Sequence, residues 1–326
     1  MMGSVMIETA AADGATQPAG AVTSPSGLAA RDLDPVTVND TIFDDPDYTP
    51  LDLYGIAGSS DTAPALPVVA SCPHAGRSYP ASMLAASREP VGALRGLEDF
   101  GVDCLLPGLA DAGIPTLINR LSRAYIDVNR DPSAVDASMF NSVVSTRPPC
   151  HHVRAGYGLI PRLTAARKPI YTDKLAAMEL EKLLRHVHTP YHVALTSILD
   201  SAVAQFGRAL LIDMHSMPAF DRLNNRLADI ICGDGLGTTL DRGTAAVITG
   251  FFEDRGLTVT WNHPYAGGFI TREYGKADSP RQAVQIEINR GLYMDGTARL
   301  DQDKVTTLQA VISDFGQFLA AYHHTD

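Results

Sequence analysis

The chain has 326 residues, of which 45% are apolar and 19% charged, with a formal net charge of −11 and a sequence pI of about 5.3. No apolar run is long enough to span a bilayer, so we expect a soluble globular protein without a membrane partner. The acidic balance argues against a nucleic-acid-binding surface.

The cysteine pattern is typical of a reduced, cytoplasmic protein rather than a disulfide framework, because the four cysteines are scattered and form no C-x-x-C pair. The N-terminus lacks a basic region followed by a long apolar core, so we expect no secretory signal.

Composition divides the chain into three regions. Residues 1–30 are rich in Ala, Gly, Ser, Thr and Pro without periodicity and are expected to be disordered. Residues 31–62 carry many aspartates and predict a loosely packed arm. Residues 63–326 are expected to form a single α/β domain.

Predicted strands and helices alternate along this last region. Strands are expected at residues 66–72, 114–119, 122–130, 210–218, 257–261 and 283–289. Helices are expected at residues 97–113 and 173–188, near 245–254 and near 303–322, with Pro190 as a break. The alternation predicts an α/β fold whose central sheet is mixed, largely parallel and covered by helices on both faces.

Two predicted strands run into a histidine. LLIDMHSMP ends an apolar strand with Asp213 and His215, and VVASCPHAG leads into His74. In open α/β sheets, ligands bind beyond the carboxyl ends of the strands, so these residues indicate a site. The alternative is structural: Asp213 would bond backbone N–H groups of a turn, and the histidines would be ordinary buried residues.

The stretch SRAYIDVNRDP predicts a wall that binds acids. Strand alternation would place Arg123, Tyr125, Asp127 and Asn129 on one face, with Arg130 just past the end. The planar fork of arginine suits carboxylates. The alternative is a solvated edge strand in which an Arg–Asp pair contributes little.

The stretch AVQIEINRGLYMD places Glu287 within a run of β-branched residues. A buried glutamate is costly unless it is paired, hydrogen-bonded or near a metal. It would serve either as the partner of a buried arginine, such as Arg290 or Arg123, or as a general base whose pKa is tuned by partial burial. We favour the catalytic interpretation.

Two histidines, a carboxylate and an open position make a catalytic zinc site. Zinc would lower the pKa of a water ligand to about 7 and polarise a carbonyl oxygen. A glutamate would move the proton, and an arginine would stabilise the oxyanion. His74, His215, Glu287 and Arg123 supply these residue types, and we expect them to meet at one edge of the sheet.

Six stretches resemble the N-formylglutamate amidohydrolase family, in family order and over residues 73–295: PHAGRSYP, SRAYIDVNRDP, DMHSMP, GDGLGT, PYAGGFITREYG and QIEINRGLYMD. The resemblance implies a zinc-dependent exopeptidase-like fold, related to carboxypeptidases and aspartoacylase. It also implies one Zn²⁺ ion and a small N-acyl amino acid as substrate. The implied reaction converts N-formyl-L-glutamate to glutamate and formate, late in histidine degradation.

The resemblance implies that His74 and His215 are zinc ligands. Related peptidases have a glutamate three residues after the first histidine, where this chain has Arg77, so the third ligand must come from elsewhere. The stretch EDFGVD is similar to a family segment with two acids. It makes Asp99 the expected third ligand and Asp103 the alternative, although both could simply complement a helix dipole.

Substrate roles are carried over in the same way. Arg123 corresponds to the arginine that polarises the scissile carbonyl, and Asn129 and Arg130 to the pair that grips a substrate carboxylate. Glu287 corresponds to the general base.

The loop NHPYAGGFI resembles a flap that faces the substrate. In it, Gly267 and Gly268 would allow close backbone approach, and Tyr265 would hydrogen-bond the ligand. An ordinary glycine-rich turn is the alternative.

Other motifs carry no catalytic assignment. CGDGLGTT lacks the G-K-[ST] ending of a phosphate loop and is interpreted as a turn in which Asp234 orients site residues. His186 and His188 lie two residues apart, which favours surface positions. No G-x-S-x-G elbow indicates a serine hydrolase. The remaining histidines are interpreted as structural: His151, His152, His192, His263, His323 and His324.

Three alternative functions remain open. Two histidines and a carboxylate also fit a non-haem iron oxygenase, but that class favours an all-β barrel and this chain has many helical segments. A second alternative is a non-catalytic carboxylate-binding protein with this fold. The nearest alternative is a metal-dependent deacylase or carboxypeptidase-like enzyme acting on another N-acyl amino acid or peptide.

Overall fold

A computed structural model describes residues 33–45, 49–56, 64–144 and 147–324. The disorder expected for residues 1–30 therefore concerns a segment outside the described residues. Across the described ranges, every helix is too short or too polar to cross a membrane.

The strands of the described residues form a seven-stranded and a two-stranded sheet. Their bounds are β1 Val36–Val38, β2 Leu51–Tyr54, β3 Val68–Cys72, β4 Ser78–Pro80, β5 Thr116–Asn119, β6 Ala209–Met217, β7 Ile230–Gly233, β8 Val259–Trp261 and β9 Arg281–Asn289. The large sheet has the order β2-β5-β3-β6-β9-β7-β8, and β1 pairs with β4.

Most neighbouring strands of the large sheet run parallel. Strands β5, β3, β6 and β9 form a parallel centre, whereas β2 is antiparallel to β5 and β7 is antiparallel to β9. Strand β8 runs parallel to β7. The predicted mixed, largely parallel sheet is confirmed.

Helices lie on both faces of this sheet. Their bounds are α1 Ala81–Ala86, α2 Val91–Leu94, α3 Pro107–Asp111, α4 His151–Ala155, α5 Ala177–Leu183, α6 Thr189–Phe206, α7 Arg242–Glu253, α8 Phe269–Tyr274 and α9 Gln302–His324. One face packs against α3, α7 and α9, and the other against α5 and α6.

The two long strands at the centre explain where polar residues enter the core. On β6, Ile212 and Met214 face the cluster that contains α9. Leu211 faces the cluster that contains α6, and Asp213 and His215 continue that face towards the carboxyl end of the strand. The polar residues therefore begin where the apolar core gives way to the sheet edge at which ligands bind.

The arm expected at residues 31–62 is partly built into the sheet. Strand β2 pairs with β5 along its whole length, and Leu51, Asp52 and Tyr54 are buried. The expectation of loose packing is wrong for this strand. Strand β7 was also absent from the sequence predictions.

The single helix predicted at residues 97–113 is wrong. The chain forms a short 3₁₀ segment at Val102–Leu105 and then helix α3. Two residues account for the interruption: Gly101 adopts a left-handed conformation with φ of 73°, and Pro107 begins a new helix because it has no N–H to donate.

The strand predicted at residues 122–130 is also wrong, because this segment forms successive turns. The amide of Tyr125 donates to the carbonyl of Ser122, and the amide of Asn129 donates to the Asp127 carboxylate. Local hydrogen bonds, to a backbone carbonyl and to a side chain, have replaced strand pairing. Arg123, Asp127 and Asn129 nevertheless lie in a single site, which is described below, and hydrogen bonds to Asp127 link them there.

The break predicted at Pro190 is wrong. Helix α5 continues through a π-helical turn, Leu184–His188, directly into α6, and Pro190 lies in the first turn of α6. At the π turn the amide of Thr189 donates to the carbonyl of Leu184, and Pro190, which has no N–H to donate, lies in the turn that follows.

We expect Phe315→Ala to lower the free energy of unfolding by about 3–5 kcal/mol, because it leaves a cavity in the core. Phe315 in α9 is fully buried, and its ring lies 5.2 Å from that of Phe251 and 4.7 Å from that of Phe252. Phe318, on the same helix, is 38% exposed, so Phe318→Ala is the matched control and should cost clearly less. Equal losses in urea denaturation would contradict this packing.

Candidate metal centre and its cavity

Three elements bring the candidate residues to one edge of the sheet. His74 follows β3, His215 lies in β6, and Glu287 lies in β9 directly beside His215 in the strand register. Asp99 joins them because its amide donates to the carbonyl of His74. All four side chains are at least nine-tenths buried.

His74, His215 and Asp99 form a compact triangle of possible metal ligands. The Nδ1 atoms of the two histidines are 3.1 Å apart, and Asp99 Oδ2 lies 2.8 Å from Nδ1 of His215 and 3.5 Å from Nδ1 of His74. Three ligands at about 2.0–2.1 Å from a tetrahedral zinc would be separated by about 3.3 Å. The three atoms therefore fit one face of such a site.

The other nitrogen of each ring is held by a carboxylate. His74 Nε2 lies 2.7 Å from Asp127 Oδ1, and His215 Nε2 lies 3.0 Å from Asp213 Oδ2. A carboxylate only accepts, so both Nε2 atoms carry the hydrogen, and in neutral rings both Nδ1 lone pairs point at Asp99. This is the carboxylate–histidine arrangement that supports metal ligands.

Three converging acceptor atoms favour a positive charge between them. Burial alone would raise the pKa of Asp99, but when the Nδ1 atoms carry protons, hydrogen bonds from His215 and His74 hold it well below its usual range. Burial would lower the pKa of His215, but Asp213 and Asp99 raise it well above its usual value. The space between these three side chains therefore favours a cation. Its donor set of two nitrogens and one oxygen suits zinc.

The geometry separates the two acids that the sequence left as alternatives. Asp99 lies in the cluster, whereas both carboxylate oxygens of Asp103 accept from the Arg77 guanidinium, at 2.9 and 2.8 Å. This bidentate pair is buried. Arg77 thus occupies the position of the expected peptidase glutamate and holds Asp103 away from the histidines.

Glu287 has the surroundings of a tuned base. Its Oε1 accepts a hydrogen bond of 2.7 Å from Gln285, and no arginine of the described residues lies within salt-bridge distance of it. Burial raises its pKa from 4.5 to about 7, while His215 opposes that rise and Asp99 adds to it. The alternative role as partner of Arg123 or Arg290 does not match these contacts.

Asp127 connects the cluster to the arginines. Its Oδ1 contacts His74, its Oδ2 accepts from Nε of Arg123 at 2.9 Å, and Nε of Arg130 lies 3.6 Å away. The sequence alone predicts only an arginine partner for Asp127. Its contact with His74 joins residues 53 positions apart, so no local pattern could have predicted it.

Asn129 is buried with its amide used inside the protein. Its Oδ1 accepts from the backbone of Ile270 at 2.7 Å, and its Nδ2 donates to Asp213 Oδ2 at 3.2 Å. Asn129 therefore ties the flap to strand β6. Arg130 next to it has Nε and Nη1 on the carbonyls of Tyr157 and Asn129, both at 3.0 Å.

Two histidines of the helix behind this segment brace it. Nε2 of His188 lies 2.9 Å from the carbonyl of Arg130, and Nε2 of His192 lies 2.9 Å from that of Val128. Their rings are 4.3 Å apart. His188 is 5% exposed, so the surface position expected for it is wrong. The π turn just before α6 sets the phase that brings both rings to this segment.

The loop expected to act as a flap does line the site. Gly268 donates its amide to Gln285 at 2.7 Å, and a Cβ on Gly268 would lie 2.4 Å from Asn129 Nδ2, so only glycine fits there. Gly267 has φ of 99°. Asp234 accepts a hydrogen bond from Asn262 at the base of the loop. Asp234 therefore positions the loop and not the cluster of His74, His215 and Asp99.

These residues surround one cavity of about 450 Å³. Its wall includes every residue to which the sequence assigned a metal, catalytic or substrate role: His74, Asp99, Arg123, Asn129, Arg130, His215, Tyr265, Gly267, Gly268 and Glu287. It also includes His152, Arg272, Gln285 and Arg290, which received no site role from the sequence. Arg272 lies within the quoted stretch PYAGGFITREYG, the one signal that could have indicated it.

Comparison with known proteins gives consistent matches. Residues 66–294 match the model of the N-formylglutamate amidohydrolase family. A protein named N-formylglutamate deformylase from Pseudomonas aeruginosa is 30% identical over 266 residues, which cover 79% of this chain and 94% of the relative. Another of that name, from Pseudomonas putida, is 28% identical over 264 residues, covering 79% and 93%.

Solved structures agree with the sequence matches. A crystal structure of N-formylglutamate amidohydrolase from Ralstonia eutropha JMP134 is 32% identical, with a TM-score of 0.77 over 84% of this chain and 98% of that chain. A gene product from Agrobacterium tumefaciens is 17% identical, with a TM-score of 0.62 over 84% and 96%, and shares the fold.

We expect Asp99→Ala to weaken Zn²⁺ binding by at least about 100-fold, because second-shell changes alone cost 10–100-fold in metal affinity. Competition with a chromophoric chelator measures this affinity. Asp103→Ala is the matched control: it should keep the affinity but lower the stability, since it leaves Arg77 buried without its partner. Equal loss of zinc affinity in both variants would contradict the assignment of Asp99.

Proposed function

The chain belongs to the N-formylglutamate amidohydrolase family, and we propose that it hydrolyses the formyl amide of N-formyl-L-glutamate to L-glutamate and formate. The observation that carries this proposal is the triangle of His74, His215 and Asp99 beside a buried glutamate, in a cavity with several arginines. Amide hydrolysis needs a polarised carbonyl, a base and groups that hold an anionic substrate, and these residues have that chemistry.

The proposed cofactor is one Zn²⁺ ion held by His74 Nδ1, His215 Nδ1 and a carboxylate oxygen of Asp99. When bound there, zinc would lower the pKa of a water ligand to about 7 and polarise the formyl carbonyl. Asp127 and Asp213 fix the ring orientation and tautomer of the two histidines and make them better ligands.

Glu287 is the proposed general base and acid. It takes a proton from the attacking water and delivers it to the leaving nitrogen, so that the C–N bond breaks to give formate and a free amine. Burial raises its pKa to about 7, which suits a group that must both accept and return a proton near neutral pH. Gln285 holds Oε1 of Glu287, which leaves Oε2 for the proton transfer.

Arg123 is the proposed oxyanion ligand. Only its Nε is hydrogen-bonded among the described residues, to Asp127, and the side chain lines the cavity. Its other N–H groups can therefore reach the oxygen of the tetrahedral intermediate. Because Asp127 fixes Arg123 and His74 together, the donor and the metal ligand keep a constant separation.

Arg130 is proposed to bind the α-carboxylate of the substrate, and Tyr265, Gly267 and Gly268 to form the opposing wall. Nε and Nη1 of Arg130 donate to backbone carbonyls, which leaves Nη2 to bind the substrate. The substrate-binding role that the resemblance implies does not fit Asn129, because both the nitrogen and the oxygen of its amide are hydrogen-bonded within the protein. We assign it a positioning role.

We further propose a cytoplasmic setting and a place in histidine degradation. All four cysteines are free in the structure, two of them buried, as suits a reducing compartment.

The test is release of the free amino acid from N-formyl and N-acetyl amino acids, with formate and acetate as the respective acid products, with and without a chelator. We expect N-formyl-L-glutamate to be hydrolysed, the activity to disappear with the chelator and to return with zinc. Hydrolysis of acetylated substrates at a similar rate would instead favour a broader deacylase. Binding of the substrate without any hydrolysis in the zinc-loaded protein would favour a carboxylate-binding protein.

We expect Glu287→Gln to lower kcat by about 10²–10⁴-fold while zinc binding and fold persist. In the unchanged enzyme kcat/KM should fall as the pH drops, because a protonated Glu287 cannot accept a proton. This acidic limb should lie above pH 4.5 and near 7, since burial raises the pKa of Glu287. Exposed Glu253 supplies the control variant Glu253→Gln. Near-normal turnover of Glu287→Gln would refute the assignment.

A further inference from the structure

The cavity has more cationic groups than one carboxylate requires. Four arginines line it: Arg123, Arg130, Arg272 and Arg290. The proposed substrate has two carboxylates, one on the α-carbon and one at the end of the side chain. The chemistry of the site therefore raises the question of which arginine meets the second carboxylate.

Two of the arginines lie beside the metal ligands. Arg123 bonds Asp127, which contacts His74. Arg290 places Nη2 3.6 Å from Asp99 Oδ1 and donates Nε to Ser216 at 3.0 Å. Both are close to where the formyl group would react, and both already have partners within the protein.

Arg130 also lies near the reacting end. Its Nε is 3.6 Å from Asp127 Oδ2 and within hydrogen-bonding distance of a backbone carbonyl. The α-carbon of the substrate is bonded directly to the nitrogen that leaves. A carboxylate on that carbon must therefore lie close to the metal cluster, which suits Arg130.

Arg272 differs from the other three in both position and partners. It lies on α8, just after the glycines of the flap, and it is exposed although it lines the cavity, which places it at the opening. No described residue accepts a hydrogen bond from the guanidinium of Arg272 or forms an ion pair with it. Its Cγ lies near Gly235, so the stem rests against the turn after β7.

Neighbouring groups make this opening electropositive. His152 lines the same cavity, and its pKa is lowered to about 4 by burial and then by the charges of Arg130, His151 and Arg272, so its ring is neutral near pH 7 and the positive charge comes from the arginines. Burial also lowers the pKa of Arg130, and the charge of Arg272 adds to this effect. Cationic groups that disfavour one another's charge gain from an anion placed between them.

We propose that Arg272 binds the side-chain carboxylate of the substrate and makes the site selective for an acidic amino acid. The proposal rests on the proposed function, since it assigns the second carboxylate of that substrate. The guanidinium can meet a carboxylate with two parallel hydrogen bonds, and an acidic protein of net charge −11 needs such a local group to hold a dianion.

The test compares N-formyl-L-glutamate with N-formyl-L-glutamine, which has nearly the same shape but no side-chain charge. We expect Arg272→Met to lower kcat/KM for the glutamate substrate by about 10- to 100-fold, mainly through KM, and to leave the glutamine substrate nearly unchanged. Arg272→Lys should fall between the two, because it keeps the charge and loses the planar fork.

Lys276→Met is the matched control. Lys276 is exposed, lies two residues after α8 and is absent from the cavity wall, so this variant removes the same charge without touching the site. It should leave the preference for glutamate unchanged. If Lys276→Met lowers the preference as much as Arg272→Met, general steering by charge explains the effect and the proposal is overturned.

Product binding provides a readout that does not require turnover. Calorimetry should show that Arg272→Met weakens binding of L-glutamate and leaves binding of L-glutamine almost unaffected. Equal weakening of both, or of neither, overturns the assignment of Arg272 alone. If the unchanged enzyme releases no formate from either substrate, the proposed function fails, and the proposal for Arg272 fails with it.

Discussion

Two buried carboxylates hold the site together through the outer nitrogens of two histidines. Asp127 fixes His74 and Asp213 fixes His215, and in each ring the remaining nitrogen is thereby turned towards Asp99. Without those bonds the imidazoles could rotate or change tautomer, and their lone pairs would no longer converge. The paired strands β6 and β9 then set Glu287 beside His215 at a fixed register.

Charge is distributed unevenly between the protein and its cavity. The chain as a whole carries a net charge of −11, yet the cavity wall has four arginines. Several buried carboxylates nearby bond a histidine, an arginine or a backbone amide, as Asp127 and Asp103 illustrate. Because these acids are neutralised locally, the arginines can present a positive field to an anionic ligand.

The strand ends could be predicted from the sequence, and the turns could not. His74 follows one apolar strand and His215 lies near the end of another, and the period and length of such strands are local properties. The turns of residues 122–130 are held by local hydrogen bonds such as that from the amide of Asn129 to Asp127, and also by contacts remote in the chain, such as that between Asp127 and His74. Residues 97–113 have helical spacing, but the left-handed Gly101 and Pro107 interrupt the helix. His188 was misplaced because a π turn changes which residues share a face.

That π turn links the length of a peripheral helix to the chemistry of the cavity. A regular α-helix advances by about 100° per residue, so removing one residue from Leu184–His188 would rotate one half of the helix against the other by that angle. Either Leu180 and Leu183 of α5 would leave the core, or His188 and His192 would swing away from the carbonyls they hold. Natural relatives with a deletion at this point should therefore show a different way of supporting the segment that carries Arg123 and Arg130.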